Sequence, residues 1–192
     1  SPLPVSPLTR FVLRVVAWLP PAFLVWYVLA PVILWPVHLL CRAAAALTLA
    51  RLVQRIDAEG GTFSFLTTLH PGAAQAGGIL TVDVNVLLYA FGLPLFAALT
   101  LAAREGGRAR RLAIGYAAML PFIAWGALAD FLKNVAITAP PYVTAQAGFG
   151  ALDRDIIAFA YQFGSLILPA VVPAVAWVLL HRAFLETLRT RQ

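Results

Sequence analysis

The sequence predicts an all-α membrane protein, a four-transmembrane-helix bundle with a small extracytoplasmic β-hairpin between spans 1 and 2. Three observations predict it. Hydrophobic residues make up 61% of the 192 residues and charged residues only 11%, against about 25% charged in a soluble domain. A core of this size cannot hide so much apolar surface from water, whereas lipid removes the difficulty. The apolar residues gather into four runs, roughly 11–40, 87–103, 112–131 and 156–180, and within the stretch 62–86 between the first two, residues 79–86 alternate with period two. The length fits one integral membrane domain over 1–192.

The first run, Phe11 to Leu40, is longer than the ~20 residues a span needs. It contains Pro20, Pro21, Pro31 and Pro36. Proline removes a backbone donor and kinks a helix, so a bent or broken helix is expected. Trp18 and Trp35 stand where interfacial aromatics belong. The run is too long and too proline-rich for a cleaved signal peptide. Cys41 to Arg55 then reads either as an amphipathic continuation at the interface or as the solvated end of the first helix.

Gly60-Gly61 breaks that helix. Thr62 to Leu69, with Phe63 and Phe65, suits a strand. A Pro, Gly and Ala loop covers His70 to Gly78. In Ile79 to Val86, Thr81, Asp83 and Asn85 point one way and Leu80, Val82, Val84 and Val86 the other, the mark of a half-buried strand. A lone two-stranded hairpin is marginal in water, so it should pack on a membrane-proximal helix or on another protein.

The second run, Leu87 to Ala103, is near the short limit for a span and holds Pro94. An arginine-rich loop, Arg104 to Arg111, precedes the third run, Leu112 to Phe131. A polar connection, Leu132 to Asp155, precedes the fourth, Ile156 to Leu180. With four spans, Arg10, Arg14, the 104–111 cluster, Arg182, Arg189 and Arg191 fall on one side. On the other side Arg42, Arg51, Arg55, Lys133 and Arg154 are offset by Asp57, Glu59, Asp83, Asp130, Asp153 and Asp155. Positive-inside bias places both termini in the cytoplasm and the hairpin outside. Arginine in place of lysine, with Lys133 the only lysine, and the alanine richness suggest a GC-rich bacterial genome, and so a bacterial inner membrane. The four runs do not divide into similar halves, so an inverted-repeat transporter gains no support.

The net charge of +6 does not indicate nucleic acid, because the arginines sit at the ends of apolar runs and form no patch between soluble elements. No metal spacing and no cofactor motif appears, and the single Cys41 forms no intrachain disulfide. Gly106-Gly107 lies in an arginine-rich turn, away from any strand-to-helix junction, and is no phosphate loop.

Several residues are candidates for chemistry. Cys41 is the obvious nucleophile, with His38 three residues earlier on the same helical face. The plain alternative is a small apolar cysteine beside an interfacial histidine. Asp130 and Lys133, three apart, read as an interfacial ion pair at the end of the third run, or as a functional site within a span. Tyr161 and Gln162 either line a polar groove or satisfy helix–helix hydrogen bonds. Asp153 and Asp155 favour the positive N-terminus of the fourth helix. Partner contact is assigned to the hairpin: Thr81, Asp83, Asn85, Phe63 and Phe65, since an exposed strand edge recruits extended peptides.

Val84 to Leu101 reads VNVLLYAFGLPLFAALTL, and the N-terminal part carries Arg10-Phe-Val-Leu-Arg-Val-Val-Ala-Trp-Leu-Pro, Trp26-Tyr27, Ala30-Pro31 and Trp35-Pro36. Over roughly the first hundred residues this resembles the exosortase H-associated membrane proteins. The resemblance implies an accessory protein of a bacterial protein-sorting system. Its partner would be an exosortase-like enzyme or that enzyme's substrate tail, within membrane lipids. Exosortases carry Cys, Arg and His on separate spans. Here Cys41 adjoins Arg42 with no suitably placed histidine after it, so no catalytic residue is carried over. A non-enzymatic partner subunit is therefore the first expectation. A cysteine transpeptidase or protease-like enzyme using Cys41, and a lipid or small-solute carrier, stand as alternatives.

Overall fold

The computed structural model describes residues 6–72 and 78–190. The centre of the Pro/Gly/Ala loop, 73–77, and Arg191 of the basic tail lie outside the described residues. In chain order the elements are α1 (Pro7–Val28), α2 (Ala30–Ile33), α3 (Trp35–Thr48), β1 (Val53–Glu59), β2 (Thr62–Thr67), β3 (Thr81–Asn85), α4 (Leu87–Ala90), α5 (Gly92–Ala103) and α6 (Arg108–Lys133). A π-helical turn (Asn134–Thr138), α7 (Pro141–Ala147), α8 (Ala151–Gln162), a second π-helical turn (Phe163–Ile167), α9 (Leu168–Leu180) and α10 (Arg182–Thr190) follow. The protein is mostly helical, with a small three-stranded antiparallel sheet.

Among the described residues, three helical stretches are long and apolar enough to cross a membrane: Pro7–Val28, Arg108–Thr138 and Ala151–Leu180. The second apolar run, Leu87–Ala103, is also helical but shorter, with a turn at Phe91 dividing α4 from α5. At 1.5 Å per residue it reaches about 26 Å, against a hydrocarbon core of about 30 Å.

The first run is divided. Ser6 caps α1, its hydroxyl accepting from the Thr9 N–H at 3.1 Å. Pro20 and Pro21 sit inside α1 without ending it. The breaks fall at Leu29 and Leu34, each two residues before a proline whose missing N–H cannot continue the ladder. The expected run 11–40 is thus a span that ends at Val28 and two further helices.

The expectation for 41–55 needs correction. The helix stops at Thr48, and residues 53–59 form a strand, so the predicted hairpin is the β2·β3 pair of a three-stranded sheet in the order β1-β2-β3. Gly60-Gly61 is the turn of a tight β1–β2 hairpin, with Gly60 at φ 59°. A side chain at Gly61 would collide with Leu87, whose Cγ would lie 2.4 Å from an added Cβ.

The chain forms two compact units. The first comprises Ser1–Leu29, Phe91–Met119 and Ala170–Gln192. In it α1 packs along α5, and Phe11 stacks on Trp177 with ring centroids 5.7 Å apart. Gly115 admits the Phe96 ring at a distance that would leave an added Cβ 2.1 Å from it.

The second unit comprises Ala30–Ala90 and Leu120–Pro169. Here the sheet lies on helices. Phe65 stacks on Phe131 of α6 at 4.5 Å, and Phe63 meets the His38 ring of α3 at 5.4 Å. Both phenylalanines are buried, with Val84 beside them in the core. Gln146 of α7 ties down the end of the sheet by exchanging two hydrogen bonds with the His70 backbone (2.9 and 3.1 Å). The sheet therefore packs on its own helices, as an isolated hairpin must. Gly126 and Gly164 let α6 and the turn after α8 touch, since an added Cβ on Gly164 would sit 3.2 Å from the Gly126 Cα. Small residues at such crossings are the usual device of helix packing in lipid.

Candidate functional site

The alternating strand β3 is one sheet edge and β1 the other. In the β2·β3 register the Val86 N–H donates to Gly61 and the Thr67 N–H to Leu80. Val82 and Val84 therefore bond to β2, and the backbone of Thr81, Asp83 and Asn85 points away from it. Among the described residues, no backbone bond joins these three to anything beyond the sheet. Their side chains are exposed. The Asp83 Oδ1 accepts from the Ser64 hydroxyl at 2.6 Å, and the Asn85 Oδ1 accepts from the Leu87 N–H at 3.2 Å. Phe63 and Phe65, assigned with them to partner contact, are buried in the core beneath the sheet.

The β1 edge differs. Its register turns the backbone groups of Ile56 and Ala58 outward, and the Ile56 carbonyl accepts from His38 Nε2 at 2.8 Å. An irregularity between Val53 and Arg55 interrupts the ladder further along. A helix laid on the edge and a bulge are two ways of closing a strand to other chains.

That placement decides the geometry of Cys41 and His38. His38 is engaged with the sheet, and no hydrogen bond joins it to Cys41 among the described residues. The Cys41 side chain is 0% exposed, its Sγ 3.9 Å from the Ala124 carbonyl. Burial pushes the thiol pKa up to about 12, whereas a nucleophilic cysteine needs its thiolate favoured.

The densest polar cluster surrounds Asp130. Its carboxylate meets Lys133 Nζ at 2.9 Å and accepts from Asn134 Nδ2 at 3.1 Å. The same Nδ2 donates to the Asp130 backbone carbonyl at 2.9 Å, where the π-helical turn begins. Lys133 Nζ stands 4.1 Å from the centroid of the Tyr161 ring. The Tyr89 hydroxyl reaches both Asp130 and Tyr161. The second π-helical turn starts two residues after Tyr161. The sequence pair Asp130–Lys133 and the separately noted Tyr161 thus belong to one site, placed on a span and beside two π turns, which gather at functional positions. Every charge in it has a partner, so its chemistry is that of a lock between elements and not of an open acid or base.

A second cluster went unread in the sequence. His181, 0% exposed, hydrogen-bonds Glu105 through Nδ1, and its Nε2 lies 3.3 Å from the Thr100 hydroxyl. Arg111 stands 3.7 Å from the same carboxylate and donates from Nε to the Leu180 carbonyl at 3.0 Å. The Trp177 ring stacks on the imidazole at 5.3 Å. Glu105 and His181 stand seventy-six positions apart, and no local pattern in the sequence joins them. Asp153 and Asp155 lie within the first turns of α8, and Asp153 Oδ2 accepts from the Gly150 N–H at 2.9 Å, the capping expected of it. No group of three or more His, Cys, Asp or Glu able to hold a metal occurs among the described residues.

Compared with known families, residues 5–184 match the family model described as exosortase H-associated membrane protein. The chain belongs to that family. The match covers nearly the whole length, beyond the first hundred residues that carried the resemblance, and so includes both polar clusters. With three apolar helices of membrane-spanning length, this family member is a membrane protein. No curated protein and no solved structure matches it.

Proposed function

We propose that this chain is a non-enzymatic partner subunit in a bacterial inner membrane, acting beside an exosortase-type sorting enzyme. Its contact is with that enzyme or with the membrane-anchored tail of the enzyme's substrate. The family description supports the association. The observation that carries the mode of contact is the free edge of β3, whose outward backbone groups at Thr81, Asp83 and Asn85 have no partner beyond the sheet among the described residues. An extended segment added there would complete a fourth strand. The arginine distribution supports four spans with both termini in the cytoplasm and the sheet outside.

The test is affinity purification from native membranes in a mild detergent, followed by mass spectrometry. An exosortase-type protein should co-purify with the unmodified chain. Asp83→Pro removes one outward N–H and leaves the β2 ladder intact, and it should reduce that recovery severalfold. Recovery of the chain as a lone species across several detergents and nanodiscs would refute the proposal. Undiminished recovery with Asp83→Pro would move the contact from β3 to the spans.

A further inference from the structure

Within the second unit, a groove of about 640 Å³ runs between α3 and β1. On the α3 side it is lined by Leu39, Arg42, Ala43 and Ala46, residues at helical spacing on one face. Four consecutive residues, 53–56, line the β1 side. Consecutive strand residues point to opposite faces, so a groove that meets them all runs along the strand's edge. The alanines leave the space that larger side chains would fill.

We infer that this groove binds an anionic phospholipid, with the phosphate between Arg42 and Arg55 and an acyl chain on the leucine and alanine floor. Charge selects the ligand. Two arginines line the groove and no carboxylate does. Asp57 reaches Arg55 at 2.8 Å from outside the lining, while Arg42 has no ion pair among the described residues. Guanidinium groups hold phosphate oxygens in a fixed fork. The surroundings suit lipid: Trp35, Leu39, Leu40 and Leu47 expose apolar side chains on the same helix, Leu47 by 86%. A peptide strand fits the groove less well, because His38 occupies the Ile56 carbonyl and the bulge interrupts the ladder.

The experiment is native mass spectrometry of the full chain. It is first exchanged into nanodiscs of equal phosphatidylglycerol and phosphatidylcholine, then released into a delipidating detergent. The unmodified chain should retain phosphatidylglycerol over phosphatidylcholine. Arg42→Gln with Arg55→Gln should reduce that preference roughly 25-fold, since each basic side chain near anionic lipid supplies about fivefold. The charge-keeping pair, Arg42→Lys with Arg55→Lys, should keep most of it, which excludes mere misfolding. Ala46→Phe, which fills the groove and leaves every charge in place, should also abolish it. Equal retention of the two lipids by the unmodified chain would overturn the inference. So would an unchanged preference in the Gln pair or in Ala46→Phe, or displacement of the lipid by an acidic extended peptide.

Discussion

Asp130–Lys133 in the second unit and Glu105–His181 in the first are both acid–base pairs sheltered from water, yet they are built in opposite ways. The first joins residues three apart on one helix, at 2.9 Å, and gathers Asn134, Tyr161 and Tyr89 around it. The second joins the loop after α5 to the junction of α9 and α10. The basic partners also differ in kind: the lysine ammonium is a compact, strongly hydrated point charge, whereas the imidazole also stacks on the Trp177 ring. Losing Asp130 leaves the Lys133 ammonium without a counter-charge, whereas losing Glu105 leaves the Arg111 guanidinium still held by the Leu180 carbonyl. The local pair should be the more costly to break, although the distant pair closes the longer loop.

The largest effect is expected of Asp130→Ala. It leaves the Lys133 ammonium facing Tyr161 with no counter-charge and should cost about 3 kcal/mol, the lower end for a broken buried pair because both side chains keep some exposure. Adding Lys133→Met should restore most of that stability, as read by thermal unfolding in detergent. No rescue by the second change would break the comparison, because the cost would then lie in packing. Gly164→Ala comes next, at about 2 kcal/mol. Its Cβ meets the Gly126 backbone at 3.2 Å, which no side-chain rotation relieves, and overpacking costs about 1–3 kcal/mol. Glu105→Gln should cost only about 1 kcal/mol, since the amide that replaces the carboxylate still hydrogen-bonds the His181 ring and Arg111 keeps its bond to the Leu180 carbonyl. A loss equal to that of Asp130→Ala would erase the difference between the two pairs.

Cys41 is the control, a buried titratable group with no charged partner. Its thiol should label with maleimide at neutral pH only after unfolding. Its folded pKa is raised, so its contribution to stability is complete below about 9 and is lost as pH rises from about 9 to about 12. Rapid labelling of the folded protein would remove the contrast and revive the cysteine as a nucleophile.

The candidate site was legible in the sequence where its signal was local. The i, i+3 spacing of Asp130 and Lys133 could be read directly, and so could the alternation of 79–86, because each depends on neighbours in the chain. Strand β1 was not legible. Its buried residues, Val53 and Ile56, fall three apart across an irregularity in the ladder. The bulge destroys the period-two pattern by which a strand is read. The preceding alanine-rich helix then extended the helical reading through it. Tyr161 could be noticed but not placed, since nothing local joins it to Lys133.

By itself the sequence determined the lipid-suited composition, the apolar runs, the presence of a break in the proline-rich first run and the alternating strand, while which prolines interrupt the helix was left to the structure. These follow from composition, from missing backbone donors and from short-period patterns. Only the tertiary structure decided which sheet edge is closed, that Phe63 and Phe65 face inward, that Cys41 is sealed, and that Glu105 meets His181. Each of these depends on residues far apart in the chain being brought within contact distance, and burial there sets the chemistry that a one-dimensional pattern does not carry.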